Sequence, residues 1–343
     1  MKFLERERLY RYVGNEEQLY GVRRVTLEEG NARGAELYQV STAGGLEFDV
    51  MPDSGLDIGR LRYRGVNINY LSKNGYDSPS RFIPVPDNFD HTFPGGMLYT
   101  CGLLSVGPQC RDEEGDGEFH PLHGRFHGQS ASGRYGRVED GAIVVGGEVR
   151  ETEQWRHALR MSRRISAPAW GSELLVEDRL DNLTPHDTQY MLLYHCNFGY
   201  PLLDAGARLV LPECRRTTPR TPYAAEGLAE QCRFSEPIDG EEERVYFNEI
   251  EGDALARVLN PRLGIAVELS WSQDTLPILS QWKSMRSGEY VLALEPSTCY
   301  TMGRREERAH GTLRTIKAFG TVRMWVRLKF ISMTPQAVAD LLL

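Results

Sequence analysis

The sequence predicts an all-β protein: a large antiparallel β-sandwich that ends in one short helix. Apolar and polar residues alternate in many segments, such as Ile265–Trp271 and Val322–Phe330, and this period of two is typical of strands. Glycine and proline clusters separate the segments, as turns between strands require. The clearest helix begins at Thr334-Pro335, an N-cap and first-turn pair, and is predicted to run through Leu343.

The composition limits the classes of protein to which the chain can belong. With 343 residues, 41% of them hydrophobic, we predict one domain over residues 1–343, with an N-terminal extension at 1–35. A net charge of -8 repels phosphate backbones, which excludes nucleic acid as a partner. No apolar run approaches the ~20 residues of a membrane helix, so no membrane partner is expected.

The amino-terminal segment and the cysteines predict the compartment. Met1–Arg11 is rich in Glu and Arg and has no apolar core, so it is not a secretory signal. The six cysteines are scattered and include no C-x-x-C pair. We therefore expect a cytoplasmic protein with reduced thiols, either a monomer or a homodimer.

Turn signals set the ends of several predicted strands. Gly44-Gly45 separates two alternating segments and predicts a hairpin, and the run Asp181–Pro185 ends a later strand. Arg304–Arg308 is predicted to be a charged, solvated segment. In chain order, the predicted strands are Glu36–Val40, Leu46–Val50, Arg60–Asn69, Met97–Val106, Ala142–Val145, Leu159–Ile165, Leu174–Leu180, the first part of Tyr190–Asp204, Arg208–Leu211, Val245–Ile250, Ile265–Trp271, Leu276–Trp282, Tyr290–Thr298 and Val322–Phe330.

Two segments in the first half carry candidate binding residues. The long irregular loop Ser72–Pro94, which contains Arg81, has the length of a loop that lines a site. The segment His120–His127 holds three histidines and Arg125. Its histidines are either metal ligands, or His123 and Arg125 donate to ligand hydroxyls, or the segment is a solvated surface turn.

The strongest candidate lies at the end of the strand in Tyr190–Asp204. His195 and Asn197 lie there among aromatic residues, just before Gly199 breaks the strand. An imidazole in such a position can hold a sugar-like ligand and move a proton. The alternative is a hydrogen-bonded core histidine.

Two later strand ends add further candidates. Gln281, Trp282 and Lys283 bring together an amide, a large ring and an ammonium group. These residues are predicted either to form one wall of a carbohydrate-binding site or to be a core tryptophan with polar neighbours. Glu295 follows an apolar strand and precedes Pro296. A carboxylate there is costly to desolvate unless its pKa is raised, which favours a general base over a glutamate that faces water.

These anchors, in the order Leu-His-Gly at His123, Tyr-His-Cys-Asn-Phe at His195 and Leu-Glu-Pro at Glu295, resemble those of the aldose 1-epimerase (galactose mutarotase-like) superfamily. The similarity extends from about Leu46 to Phe330, and the chain most resembles a branch labelled only as a domain of unknown function. The resemblance implies an antiparallel supersandwich with a sugar cleft, in which His123 binds the sugar, His195 is the general acid and Glu295 is the general base.

Two functional positions of that superfamily have no secure match in this chain. Arg81 or Arg125 is a candidate for its arginine, and Asn248 or Glu249 for its aspartate. The function that the resemblance implies is a cofactor-free 1-epimerase that interconverts sugar anomers. The alternatives are a non-catalytic sugar-binding or sensor protein, and a sugar isomerase or lyase with a metal on His120, His123 and His127.

Overall fold

Antiparallel strands account for most of the fold, as predicted. The computed structural model describes residues 6–78, 81, 83, 85–86 and 88–341. In chain order, the strands are β1 (Gly21–Thr26), β2 (Glu36–Ser41), β3 (Leu46–Met51), β4 (Asp57–Tyr63), β5 (Val66–Asn67), β6 (Tyr99–Leu103), β7 (Cys110–Arg111), β8 (Phe119–His120), β9 (Ser132–Glu139), β10 (Ala142–Thr152), β11 (Ala158–Pro168), β12 (Glu173–Asn182), β13 (Thr188–Phe198), β14 (Arg208–Val210), β15 (Cys214–Pro219), β16 (Arg244–Ile250), β17 (Leu255–Asn260), β18 (Ile265–Trp271), β19 (Ile278–Arg286), β20 (Glu289–Ser297), β21 (Arg314–Ile316) and β22 (Thr321–Ser332).

The helices are short and lie between strands or at the chain ends. They are α1 (Arg6–Leu9), α2 (Asn88–Thr92), α3 (Pro222–Glu226), α4 (Arg304–Ala309) and α5 (Pro335–Asp340). None of the described helices has the length and apolar character needed to cross a membrane.

Three sheets and one small ribbon organise these strands. A five-stranded sheet has the order β1-β2-β3-β4-β5, and an eight-stranded sheet has the order β14-β17-β18-β22-β12-β11-β10-β9. The third sheet, called the site sheet below, has the order β15-β16-β19-β20-β13-β21, and β6 also pairs with β13. Because β13 has partners on both sides, it is an interior strand of the site sheet.

The two faces of β13 contact different apolar clusters. Tyr194 and Cys196 enter the main core, which also receives side chains of the other two sheets, such as Phe48 and Phe330. Leu193 belongs to a smaller cluster on the opposite face, together with residues of β6. Successive side chains of a strand point to opposite faces. His195 therefore lies on the face of the smaller cluster, away from the main core.

A buried ion network connects the sheets behind the site. Arg163 on β11 binds Asp178 on β12, with Nη2 2.7 Å from Oδ2, and Asp57 on β4, with Nη1 2.9 Å from Oδ1. Asp57 also accepts hydrogen bonds from the backbone N–H and the hydroxyl of Thr100 on β6. Tyr194, one residue before His195, donates its hydroxyl to Asp178 at 2.6 Å. The network thus fixes β6 and β13, the strands beside the site, to the rest of the fold.

Most predicted strands are confirmed, and the differences have physical causes. The strand predicted at Ile265–Trp271 is β18 itself, and Gly44-Gly45 joins β2 and β3 as expected. The predicted N-terminal extension supplies β1, which pairs with β2 over six residues. The predicted C-terminal helix is α5. Its predicted end at Leu343 lies outside the described residues.

The prediction of a solvated segment at Arg304–Arg308 is wrong. This segment forms most of α4, and Arg304 is buried. Both ends of the segment pair with the buried carboxylate of Asp112, with Arg304 Nε at 3.0 Å and Arg308 Nη2 at 2.6 Å. Arg304 and Arg308 therefore hold the loop of Asp112 against α4, whereas Arg305 is 61% exposed and does face water.

Candidate active site

A cleft of about 1190 Å³ opens on the face of the site sheet that carries His195. Of the ten residues predicted for the site, four line this cleft: His123, His195, Trp282 and Glu295. They come from one loop and three adjacent strands, and the sheet register explains why they meet.

The register of β13 and β20 places His195 directly opposite Glu295. Leu193 pairs with Ser297 and Cys196 pairs with Leu294, so the antiparallel partner of position 195 is position 295. Side chains opposite each other on one face of such a pair are close neighbours. The Nε2 atom of His195 lies 3.2 Å from Oε1 of Glu295, and both residues are buried at the base of the cleft.

Burial sets the charge states of this pair. It raises the pKa of the Glu295 carboxyl to about 8, which the nearby Arg220 guanidinium partly opposes. Burial, together with a smaller contribution from the neighbouring His123, lowers the pKa of the His195 imidazole to about 3. A neutral carboxylic acid beside a neutral imidazole is therefore the favoured form near neutral pH. Moving the one shared proton across the contact produces a carboxylate and an imidazolium.

His123 approaches the pair from the loop after β8. Its backbone is left-handed, with a φ of 59°, and its N–H donates to Gly107 at 2.9 Å. Its ring centroid lies 6.0 Å from that of His195. Loss of solvation lowers the pKa of His123 to about 4, and the charge of Arg220 acts in the same direction. His123 is therefore a neutral imidazole that can exchange hydrogen bonds with a ligand hydroxyl.

Aromatic rings surround the imidazole of His195. The ring centroid of Trp282 lies 5.5 Å from that of His195, and the ring of Phe93 lies 5.8 Å away on the cleft side of β6. Phe89 of α2 packs at 5.2 Å from the ring of His123. Such rings exclude water and offer apolar faces to the C–H groups of a ligand.

Arg220 and Glu243 are among the cleft residues that the sequence did not indicate. Glu243 accepts a hydrogen bond from Trp282 Nε1 at 2.7 Å, and its other oxygen accepts one from Arg220 Nη2. One carboxylate therefore orients both the indole ring and the guanidinium. Arg220 lies before α3 and Glu243 before β16, in irregular segments whose position the sequence pattern does not determine.

Gln281 and Lys283 were predicted to share a wall with Trp282, and this prediction is wrong. The three residues are consecutive on β19, so the outer two point to the opposite face of the sheet. There, the Gln281 amide donates to the carbonyl of Gln231, and Lys283 Nζ donates to the carbonyls of Glu230 and Arg233. Only Trp282 of this trio reaches the cleft.

Asn197 and Asn248 are also absent from the cleft lining. The amide of Asn197 donates to the carbonyls of Gly96 and His195, so it supports the backbone at the end of β13. The amide of Asn248 donates to the carbonyl of Leu279, and its oxygen accepts from Thr217. Both asparagines therefore satisfy buried polar groups near the site and do not face a ligand.

The two arginines considered as substitutes for a cleft arginine lie elsewhere. Arg125 donates to the carbonyl of Phe119 at 2.7 Å, and Arg81 pairs with Asp77 at 3.3 Å on the surface. Neither lines the cleft. Among the described residues, the arginines that line the cleft are Arg220 and Arg286.

The three histidines of the segment His120–His127 do not form a metal-binding group among the described residues. His120 faces Asp116, with Nε2 3.1 Å from Oδ2, whereas the ring of His127 stacks on Tyr99 at 4.7 Å. Of the three, only His123 lines the cleft. The close group Asp112, Asp116 and His120 is neutralised by arginines from α4, which leaves little attraction for a cation.

A family model described as "Domain of unknown function (DUF4432)" matches residues 32–330. The chain belongs to the DUF4432 family. No protein with a curated description matches it in sequence. Membership in an uncharacterised domain family of this fold agrees with the branch predicted from the sequence.

Solved structures share the fold of this DUF4432 protein at low sequence identity. A "putative aldose 1-epimerase" from Klebsiella pneumoniae subsp. pneumoniae MGH 78578 has a TM-score of 0.85 and 22% identity, over 93% of this chain and 87% of that chain. A galactose mutarotase-like protein from Clostridium acetobutylicum has a TM-score of 0.65 and 14% identity, over 92% and 100%. Galactose 1-epimerase from Lactobacillus acidophilus NCFM has a TM-score of 0.59 and 12% identity, over 91% and 99%. These matches confirm the predicted galactose mutarotase-like sandwich.

Proposed function

We propose that this protein is a carbohydrate 1-epimerase that interconverts the anomers of an aldose or a related sugar. The contact between His195 and Glu295, at 3.2 Å in the base of an open cleft, carries the proposal. It places two proton-transfer groups side by side next to the half-buried ring of Trp282. The fold shared with mutarotase-like proteins supports the same function.

The reaction needs one proton removed and one proton added at oxygens that are bonded to the same carbon. Glu295, as the carboxylate, takes the proton of the anomeric hydroxyl, while His195, as the imidazolium, donates to the ring oxygen. The ring opens, the bond between C1 and C2 rotates, and the reverse transfers close the ring on the other face. Each positioned transfer contributes roughly 10²–10⁴-fold to the rate. His123 holds a sugar hydroxyl, and no cofactor takes part.

The direct test is anomer exchange measured by NMR with a panel of anomerically enriched sugars. The expected result is a rate that increases in proportion to enzyme concentration and exceeds the spontaneous rate for at least one sugar. Bound sugar without accelerated exchange would instead support a sugar-binding protein on the same fold. That alternative is favoured by one observation, the absence of Arg81 and Arg125 from the cleft lining.

The pKa shifts predict an unusual pH profile for kcat/KM. Between the lowered pKa of His195, about 3, and the raised pKa of Glu295, about 8, the pair holds one shared proton in either arrangement. The rate is therefore expected to be level from about pH 5 to 7 and to fall above about pH 8, as the pair loses that proton. A step near the ordinary histidine pKa of ~6.5 would contradict this charge assignment.

Two variants are expected to move the falling limb of that profile in opposite directions. The charge of Glu243 raises the pKa of Glu295, whereas the charge of Arg220 lowers it. Glu243→Gln should therefore shift the limb to lower pH, and Arg220→Met should shift it to higher pH. Glu268→Gln, a half-buried carboxylate on β18, serves as the control and should leave the limb in place. Shifts of the same sign in both cleft variants would refute the electrostatic coupling.

A further inference from the structure

The floor of the cleft is long compared with one sugar ring. Glu295 and Glu289 both line the cleft and lie six residues apart on β20, which corresponds to about 20 Å at ~3.3 Å per residue. Trp282, Ser284 and Arg286 line it along the adjacent strand β19. The lining of the groove thus extends well beyond the catalytic pair, along β20 to Glu289 and along β19 to Arg286.

The groove is also large and has ligand-binding groups at its far end. Its volume of about 1190 Å³ exceeds the ~300–1,000 Å³ of typical small-molecule pockets. At the end away from His195, Glu289 pairs with Lys73 at 2.7 Å and with Arg286 at 3.6 Å. Tyr70 also lines the groove, and the charge of Glu289 contributes to its raised pKa. This end therefore offers hydrogen-bond donors, acceptors and an aromatic ring.

Every described cation that lines the groove is paired with a carboxylate, and further carboxylates make the groove negatively charged. Each described cation of the lining lies beside a carboxylate: Lys73 and Arg286 beside Glu289, and Arg220 beside Glu243. Among the described residues, five carboxylates line the groove beside the mostly protonated Glu295, and they are Asp90, Glu241, Glu242, Glu243 and Glu289. Phosphate or carboxylate groups on a ligand would meet paired cations and surplus negative charge. Hydroxyl groups can exchange hydrogen bonds with the same side chains at little desolvation cost.

From the length, volume and charge of the groove, we infer that its substrate is an uncharged saccharide of two or more rings. Its reducing end reacts at His195 and Glu295, and its following ring extends along β19 and β20 toward Arg286 and Glu289. This inference rests on the proposed function, since it assigns the reacting end of the sugar. It goes beyond that function because a single hexose would leave the far end of the groove in contact with water.

The test compares sugars that share a reducing end and differ in length and charge. Exchange rates are measured by NMR for glucose, maltose, maltotriose and glucose 6-phosphate, and in parallel for galactose and a galactose disaccharide, and for xylose and xylobiose. For the series that is accepted, kcat/KM of the disaccharide is expected to exceed that of the monosaccharide by tenfold or more. The phosphorylated monosaccharide is expected to react more slowly than the free one.

Variants at the far end test the position of the second ring. Ser284→Phe fills the groove between Trp282 and Arg286, and Arg286→Ala removes a side chain that is 52% exposed, so the second variant is expected to fold normally. Each should lower the disaccharide-to-monosaccharide ratio of kcat/KM at least threefold. Arg262→Ala, an exposed arginine outside the groove that pairs with Asp204, should not change the ratio.

The outcomes separate this inference from the proposed function. Equal or faster exchange of the monosaccharide, or faster exchange of the phosphate, overturns the inference and leaves the epimerase proposal in place. If no sugar is exchanged, the epimerase proposal fails, and the same sugars are titrated by calorimetry. Tighter binding of the disaccharide, with loss of that preference in Arg286→Ala, would then still support the long groove, and binding independent of length would overturn it.

Discussion

Glu295→Gln is expected to reduce enzyme-accelerated anomer exchange by at least ~10²-fold, because the amide cannot accept the proton of the anomeric hydroxyl. His195→Asn is expected to cause a similar loss, because the amide cannot deliver a proton to the ring oxygen. The two side chains share one proton across 3.2 Å and act as a unit. The double variant should therefore be little worse than either single variant.

Folding of these variants is not expected to be impaired. Burial raises the pKa of Glu295 to about 8, so the wild-type side chain is mostly a neutral acid, which glutamine matches in size and charge. Glu268→Gln and His310→Asn, at solvent-accessible positions outside the cleft, provide matched controls of the same chemistry. Circular dichroism and thermal midpoints would verify the fold. Full exchange activity in a folded Glu295→Gln or His195→Asn protein would refute the assigned role.

The sequence identifies the two members of the proposed catalytic pair better than it identifies the residues around them. His195 and Glu295 are identifiable because each places a titratable side chain at the end of an apolar strand, where desolvation is costly. Their contact depends on the register of β13 against β20, which is set by pairing between segments a hundred residues apart. The resemblance to a known superfamily supplied that relation, and no local pattern of this chain contains it.

The errors among the predicted site residues have two sources. Gln281 and Lys283 were grouped with Trp282 by adjacency along the chain, although the alternation of a strand separates them, and this could have been foreseen from the sequence. Arg220 and Glu243 could not have been foreseen. They lie in the irregular connections beside β15 and β16. The contacts of Glu243 with Arg220 and with Trp282 arise only when the site sheet is assembled.

The strand pattern predicted the sheets well, but it gave no indication of the buried ion network. Arg163 lies in an alternating strand, beside Arg164, and both look like exposed positions in the sequence. In the fold, Arg163 is fully buried between Asp57 and Asp178, whereas Arg164 is 41% exposed and pairs with Glu177. Two neighbouring arginines therefore have very different structural roles.

Arg163→Met is expected to destabilise the fold by about 3–5 kcal/mol, because it leaves two buried carboxylates without their cation. Arg164→Met provides the matched control and should change stability by no more than ~0.5 kcal/mol, since it removes only a solvent-accessible ion pair. Urea unfolding of both variants beside the wild type would measure the difference. A similar loss of stability in both variants would show that the buried ion pairs of Arg163 stabilise the fold no more than the solvent-accessible ion pair of Arg164.

The pH dependence of this loss separates uncompensated charge from simple loss of packing. In the wild type, burial raises the pKa of Asp57 to about 6, and Arg163 opposes the rise. Without the guanidinium this pKa rises further, so the folded variant binds protons that the unfolded chain releases near neutral pH. Stability relative to the wild type should therefore be partly regained between about pH 7 and about pH 5. A packing defect would give the same deficit at both pH values.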